Sequence, residues 1–259
     1  MAPELQQQIE ELAAALRQSR RTVVLTGAGA STEAGLPDWR GPAGIWKQWN
    51  PAQIASLSAM RKHPVDFYQF YRYRLATLRG ARPGPVHRAL AALERAGYVH
   101  CIITQNIDRL HQAAGSREVV EVHGNLDRAH CVECGAEYPP TALEVEVQTE
   151  ADIPRCRRCG GLLKPGIVLF EEPLPEEAIS RAFAEARQAN VFLVVGSSLE
   201  VGPVNLTPRV AVDHGARLGI LNLSPTYIDS LATWVIREKA GPVLLAVARE
   251  LGVEVAPGS

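Results

Sequence analysis

The sequence predicts an α/β protein: a parallel sheet with helices on both faces, interrupted by two insertions that form a smaller, zinc-binding and helical domain. Three observations carry this. Short apolar, β-branched runs alternate with stretches of helical periodicity, the pattern of βαβ units. A glycine-rich turn directly follows the first run. Four of the five cysteines fall in two Cys-x2-Cys pairs, far from any strand of the sheet.

Leu5, Ile9, Leu12 and Leu16 recur at helical spacing and predict an amphipathic helix over 4–18. Thr22–Thr26 reads as a buried parallel strand. Further strands are expected at Val99–Thr104, Val191–Val195 and Leu218–Leu223, with weaker candidates at Val119–Val122 and Ile167–Phe170. Helices are expected at Val86–Ala96, Glu176–Ala189 and Pro203–His214. Residues 37–80, with Trp39, Trp46, Trp49 and the series Phe67, Tyr68, Phe70, Tyr71 and Tyr73, break this rhythm, as do residues 126–164 with the cysteines. The expected large domain is therefore 1–36, 81–125 and 165–259, and the small one 37–80 and 126–164. Ala256–Ser259 is expected to fray.

The 259 residues carry 27 Lys+Arg against 28 Asp+Glu, which excludes binding to nucleic acid through bulk charge. No apolar run approaches the ~20 residues of a membrane span. The first residues, Met1 to Gln8, are polar and lack an apolar signal region, so a cytoplasmic, monomeric protein without membrane contacts is expected. In that compartment paired cysteines point to metal rather than disulfides. Cys101, inside Tyr98–Thr104, reads as a small buried hydrophobe.

Chemistry enters at the turn Gly27-Ala28-Gly29-Ala30-Ser31-Thr32-Glu33-Ala34-Gly35. Small residues after a first strand let the backbone approach a phosphate, although a ligand-free strand-to-helix turn has the same composition. Cys131/Cys134 and Cys156/Cys159, separated by 21 residues, suit one tetrahedral Zn²⁺. Four sulfurs leave no position for water, so the zinc is expected to be structural. Thr104-Gln105-Asn106-Ile107-Asp108, Gly196-Ser197-Ser198 and Asn222 place polar groups at strand ends, where α/β proteins hold ligands. His123 ends another strand and is either structural or a general base.

These residues resemble the sirtuin family of NAD-dependent protein deacylases. The resemblance runs through Gly27–Ser31 and Gly35-Leu36-Pro37-Asp38-Trp39-Arg40, then Thr104–His111 almost letter for letter. It continues through His123-Gly124, both cysteine pairs, Gly166–Phe170, Gly196–Leu199 and Leu221-Asn222-Leu223, over roughly 5–250. It implies a Rossmann-like large domain, with NAD and an acyl-lysine peptide entering between the domains. NAD is a consumed substrate, and the acyl oxygen attacks C1′ of the nicotinamide ribose. His123 is then the base on the ribose hydroxyls, while Asn106 and Asp108 shape the nicotinamide pocket. Gly27, Ala28, Gly29, Thr32, Asp38, Trp39, Arg40, Gln105, Ile107, Gly196, Ser197, Ser198, Asn222, Leu223 and Ala240 would complete the NAD site.

The resemblance also implies an acyl preference. Tyr71 and Arg74 are one turn apart on a helical face with Phe67 and Leu78, and Ala55 stands sixteen positions before Tyr71. In the desuccinylase/demalonylase class these positions form the acyl pocket, and the Arg fork suits a carboxylate. The bland alternative is an aromatic helix whose Arg faces solvent or pairs with an acid. Val168, Leu169 and Phe170 would dock the peptide as an added strand. Glu171 departs from the family's usual Gly, Gly202 from an aromatic, and Trp39 from Phe. Two other functions use the same residues: a mono-ADP-ribosyltransferase with this NAD site, and a zinc-ribbon nucleic-acid binder using Arg155, Arg157, Arg158 and Lys164.

Overall fold

The structure, a computed structural model, describes residues 2–38, 44 and 50–258, the side chains of 51 and 52 excepted. Trp39, Arg40, Trp46 and Trp49 lie outside the described residues. The helices are α1 (Pro3–Gln18), α2 (Pro51–Ile54), α3 (Leu57–Lys62), α4 (Pro64–Gly80), α5 (Pro85–Arg95), α6 (Leu110–Ala113), α7 (Glu176–Gln188), α8 (Thr207–Asp213) and α9 (Ala240–Glu250). The strands are β1 (Thr22–Thr26), β2 (Cys101–Thr104), β3 (Val119–Glu121), β4 (Gly124–Cys131), β5 (Glu137–Tyr138), β6 (Leu163–Ile167), β7 (Val191–Val195), β8 (Arg217–Leu221) and β9 (Trp234–Ile236).

The chain divides into two compact units: Met1–Leu36, Arg82–Val122 and Glu176–Ser259 form one, Pro37–Ala81 and His123–Pro175 the other. The first holds a six-stranded sheet in the order β3-β2-β1-β7-β8-β9, with every pairing parallel. Alternate side chains of each strand enter opposite cores. Val24, Ile102 and Leu193 pack with Ile9, Leu12 and Leu16 of α1 and with buried residues of α5 and α9. Val23, Ile103 and Phe192 pack with Ala182 and Ala186 of α7 and Ala211 of α8. The Leu5–Leu16 stripe of the sequence is thus a helix face on one side of this sheet. The order steps outward from β1 in one direction and from β7 in the other, which makes the β1/β7 boundary a topological switch point.

Three expectations need correction. Ile167–Phe170 is not a strand of the parallel sheet; β6 ends at Ile167 and pairs antiparallel with β4. The sixth parallel strand is instead Trp234–Ile236, too short to show a period in the sequence. The helix expected over Pro203–His214 is a 3-10 turn, Val204–Leu206, followed by α8, because Pro208 in the first turn of α8 has no N–H to continue a ladder from Val204.

The second unit has a three-stranded antiparallel sheet, β5-β4-β6. It includes residues 165–175 because β6 pairs with β4 and Phe170 bridges to Ser56. Phe67, Tyr68, Phe70 and Tyr71 of α4 are buried, and the Tyr68 hydroxyl donates to the Leu163 carbonyl (2.7 Å). Each such ring contributes roughly 1.5–3 kcal/mol of apolar burial to a unit with a thin sheet. Among the described residues no helix is long and apolar enough to cross a membrane.

Candidate active site and metal centre

At the switch point the loops after β1 and β7 touch. Gly29 N donates to the Gly196 carbonyl (2.9 Å). Gly196 has φ 61°, and a Cβ there would lie 2.3 Å from Ala30 N, so only glycine permits this approach. A Cβ on Gly27 would meet the Gly196 carbonyl at 2.7 Å. The segment Ala28–Ala34 is a 3-10 helix, not the α-helix that such a turn usually opens. Ala28 and exposed Thr32 lie on it, the Thr32 hydroxyl donating to the Gly29 carbonyl (2.9 Å).

Ser31 is the hub of the next layer. Its hydroxyl donates to Asp108 Oδ2 (2.7 Å) and accepts from Asn106 Nδ2 (3.1 Å). The same Asn106 amide donates to the Gly27 carbonyl (3.0 Å), so both of its hydrogens are engaged and its rotamer is fixed. Asp108 Oδ1 accepts from Leu110 N (2.9 Å). Gly84 N donates to His87 Nδ1 (3.1 Å), which puts the imidazole hydrogen on Nε2, 3.3 Å from Ser31 Oγ. Burial pushes His87 down to about 4 against the pull of Asp108. Burial likewise holds His111 well below the usual range, with His87 adding to it; the rings stack edge to face at 4.8 Å. His111 Nε2 meets Thr26 Oγ1 (3.0 Å), which donates to Thr104 Oγ1 (2.9 Å). At neutral pH both imidazoles are therefore neutral members of this network, in which His111 Nδ1 is buried without a hydrogen-bond partner among the described residues.

Of the residues expected at an NAD site, the structure brings Gly27, Gly29, Asn106, Asp108 and Gly196 into this cluster. It joins Gln105 to Ser197 through a hydrogen bond of 2.8 Å. Ile107 and Ser198 are half-buried beside them. Asn222 turns its amide to the Ser224 carbonyl (2.8 Å), and Arg237 donates to the carbonyls of both (2.9 and 3.0 Å). Leu223 is 63% exposed on that loop, and Ala240 opens α9. Asp38, half-buried, falls in the second unit. Ser31, Thr104 and His111 lie within the motifs of the sequence but have no role of their own there, and motif reading passes over Thr26 and His87; all five join this network. A polar His87 beside the apolar positions Val86, Ala89, Leu90 and Leu93 was the available signal.

In the second unit the Sγ atoms of Cys131, Cys134, Cys156 and Cys159 all lie within 4.8 Å of one another. A tetrahedral Zn²⁺ with ~2.3 Å bonds separates its sulfurs by roughly 3.8 Å, so the four thiols fit one zinc ion. Each pair wraps a turn that needs a left-handed glycine, Gly135 (φ 67°) after Cys134 and Gly160 (φ 77°) after Cys159. The Tyr138 hydroxyl donates to Cys156 Sγ (3.2 Å) and holds that thiol down to about 6. Arg155, Arg157 and Arg158 are exposed nearby. Lys164, expected to share their positive patch, is 5% exposed and donates to Glu172 (2.8 Å) and the Ile167 carbonyl.

His123 opens the second segment of this unit and is half-buried; its carbonyl accepts from Val168 N (2.9 Å). Phe170 N donates to the Ala55 carbonyl and Leu57 N to the Phe170 carbonyl, both at 3.1 Å. Phe170 thus bridges to the segment Ala55–Leu57 through its own N–H and carbonyl. Leu169 is buried and Phe170 is 41% exposed. On α4, Tyr71 and Arg74 are 5% and 4% exposed, so Arg74 does not face solvent, while Tyr73 does at 61%. Burial pushes the Tyr71 phenol up, with the Arg74 guanidinium opposing and the Glu172 carboxylate adding to it.

A parallel sheet with a polar switch point, joined to a tetracysteine module, defines a nucleotide-binding α/β protein with a structural metal. The model of the Sir2 family matches residues 27–203, and the chain belongs to that family. The NAD-dependent protein deacetylase 1 of Geobacillus kaustophilus (strain HTA426) is 48% identical over 244 residues, spanning 93% of this chain and 98% of that protein. The NAD-dependent protein deacylase 2 of Archaeoglobus fulgidus is 42% identical over 248 residues, 95% of this chain and 97% of the relative. A solved Sir2 structure, a His-to-Ala variant with a deacetylated p53 peptide and 3′-O-acetyl ADP-ribose, superposes with a TM-score of 0.89 at 38% identity, covering 95% of this chain and 99% of that one.

Proposed function

We propose that the chain is an NAD-dependent protein lysine deacylase that releases nicotinamide and O-acyl-ADP-ribose. The observation that supports this best is the Ser31–Asn106–Asp108 cluster at the switch point of a Sir2-family sheet. It fixes an amide and a carboxylate beside the close glycine contact of the β1 and β7 loops. Gly27, Ala28, Gly29, Thr32, Asp38 and Arg40 would hold the diphosphate side, with Trp39 near nicotinamide. Gln105, Asn106, Ile107 and Asp108 would hold the nicotinamide end, and Gly196, Ser197, Ser198, Asn222, Leu223 and Ala240 the adenosine half. When bound, NAD supplies the ribose carbon that nicotinamide leaves and the hydroxyls that take the acyl group. His123 accepts a proton from a ribose hydroxyl, and its attachment to Val168 through the backbone fixes the ring's starting point. Asp108, oriented by Ser31 and Leu110 N, and Asn106 shape the nicotinamide pocket and hold a water. The zinc does no chemistry; it holds the β4–β6 module.

Succinyl, malonyl or glutaryl groups are the proposed preferred cargo, because Arg74 is buried one turn from a buried Tyr71 on the unit that carries Ala55 and Phe170. A buried guanidinium is best matched by a carboxylate taken out of water with it. The test is NAD-dependent turnover of an acetyl-lysine and a succinyl-lysine peptide of one sequence. The wild type is expected to favour the succinyl peptide. Arg74→Met is expected to lose that preference by about tenfold or more, the scale of a charged hydrogen bond. An unchanged ratio would return α4 to a structural role.

A further inference from the structure

We infer that Glu171 is a positioning residue for the acyl-lysine peptide: its carboxylate latches the docking segment Val168–Phe170 to the segment Ala55–Ser58. What those segments bind rests on the proposed deacylase function; the latch itself is a matter of geometry. Glu171 has φ 77°, in the left-handed region that L side chains disfavour and glycine enters freely. Such a conformation persists where surrounding interactions hold it. Here both carboxylate oxygens of Glu171 are committed to Ser58: Oε2 accepts from Ser58 N (2.8 Å) and Oε1 from the Ser58 hydroxyl. These hydrogen bonds to the ionised form hold the Glu171 carboxyl below the usual carboxylate pKa range.

Ser58 N belongs to the first turn of α3, where backbone donors have no partner within the helix. Ser56 Oγ takes the N–H of Ala59 (2.9 Å) and Glu171 takes that of Ser58, so the turn is capped partly from a segment 113 residues away. The adjoining backbone is paired as well, through the two Phe170 bonds to Ala55 and Leu57. Glu171 therefore sets where the Phe170 backbone stands against Ala55 before any peptide arrives. A strand fixed in advance spares its ordering cost on binding, which lowers the peptide KM and leaves kcat alone.

Steady-state kinetics with an acetyl-lysine peptide tests this on the full chain. Glu171→Ala is expected to raise the peptide KM about tenfold, the scale of a lost charged hydrogen bond, while kcat and the KM for NAD stay within about twofold. Glu171→Gln keeps one acceptor and should recover part of the loss. Ser58→Ala changes no charge and should raise the peptide KM about threefold. The double variant should be no worse than Glu171→Ala alone, because the two share one interaction. A wild-type KM in Glu171→Ala, or additive effects in the double variant, would overturn the latch. Absence of wild-type turnover of both an acetyl-lysine and a succinyl-lysine peptide would instead sink the deacylase reading. The latch is then read from hydrogen exchange at Ser58 N, expected to be faster in Glu171→Ala; an unchanged rate contradicts it.

Discussion

Asn106 and Asp108 are held by groups at the ends of neighbouring parallel strands, Gly27 and Ser31 after β1 and Leu110 after β2. Ala55 and Phe170 are held by contacts between segments more than a hundred residues apart, in a unit whose sheet is pinned by four cysteines. The first arrangement follows from sheet register: once Thr26 pairs with Thr104, the polar residues beyond them converge. The second follows only when distant segments meet. One cluster thus rides on a buried core, and the other on contacts between distant segments of the cysteine-bearing unit.

The largest effect that could break this comparison is zinc removal. Structural zinc contributes on the order of 10 kcal/mol, so a chelator should unfold β4–β6 while β1, β2 and β7 stay protected. Hydrogen exchange resolved by segment reads this. Protection of β4–β6 in the metal-free protein would show that α4 and its aromatic residues suffice.

A smaller effect sharpens the other side. His87 titrates near about 4 in the folded chain and near 6.5 when unfolded, so the unfolded chain binds more protons between those values. The stability from keeping it neutral is fully present above about pH 6.5 and is lost as pH falls toward about 4. The loss amounts to up to ~3 kcal/mol. Burial lowers His111 too, which adds in the same direction. Denaturant unfolding of the wild type should lose stability from pH 7 to pH 5, and His87→Asn should flatten that slope. An equal slope in both proteins would remove His87 from the account.

The same contrast explains what was legible in the sequence. Thr22–Thr26 and Val191–Val195 announced the parallel sheet because each is a continuous buried run, and the Leu5–Leu16 stripe announced the helix on its face through its helical period. The cysteine spacing announced the metal because two knuckles and their glycines are local. Trp234–Ile236 was not visible, since three residues carry no period, and Ile167–Phe170 misled because an apolar run does not say which sheet it joins. The roles of His87 and Ser31 were hidden for another reason: Ser31 meets His87 and Asp108 only after β1, α5 and β2 pack. Glu171 was visible as a departure from the family's glycine, but its partner Ser58 was not.

The most direct test of the central claim is the product balance of the purified chain with NAD and an acyl-lysine peptide, followed by mass spectrometry. The account predicts one nicotinamide and one O-acyl-ADP-ribose per lysine deacylated. In His123→Ala it predicts turnover lowered by a factor of about 10²–10⁴, the range for a general base, with NAD binding and fold retained. Nicotinamide released without acyl peptide, with ADP-ribose appearing on protein and an unimpaired His123→Ala variant, would contradict it.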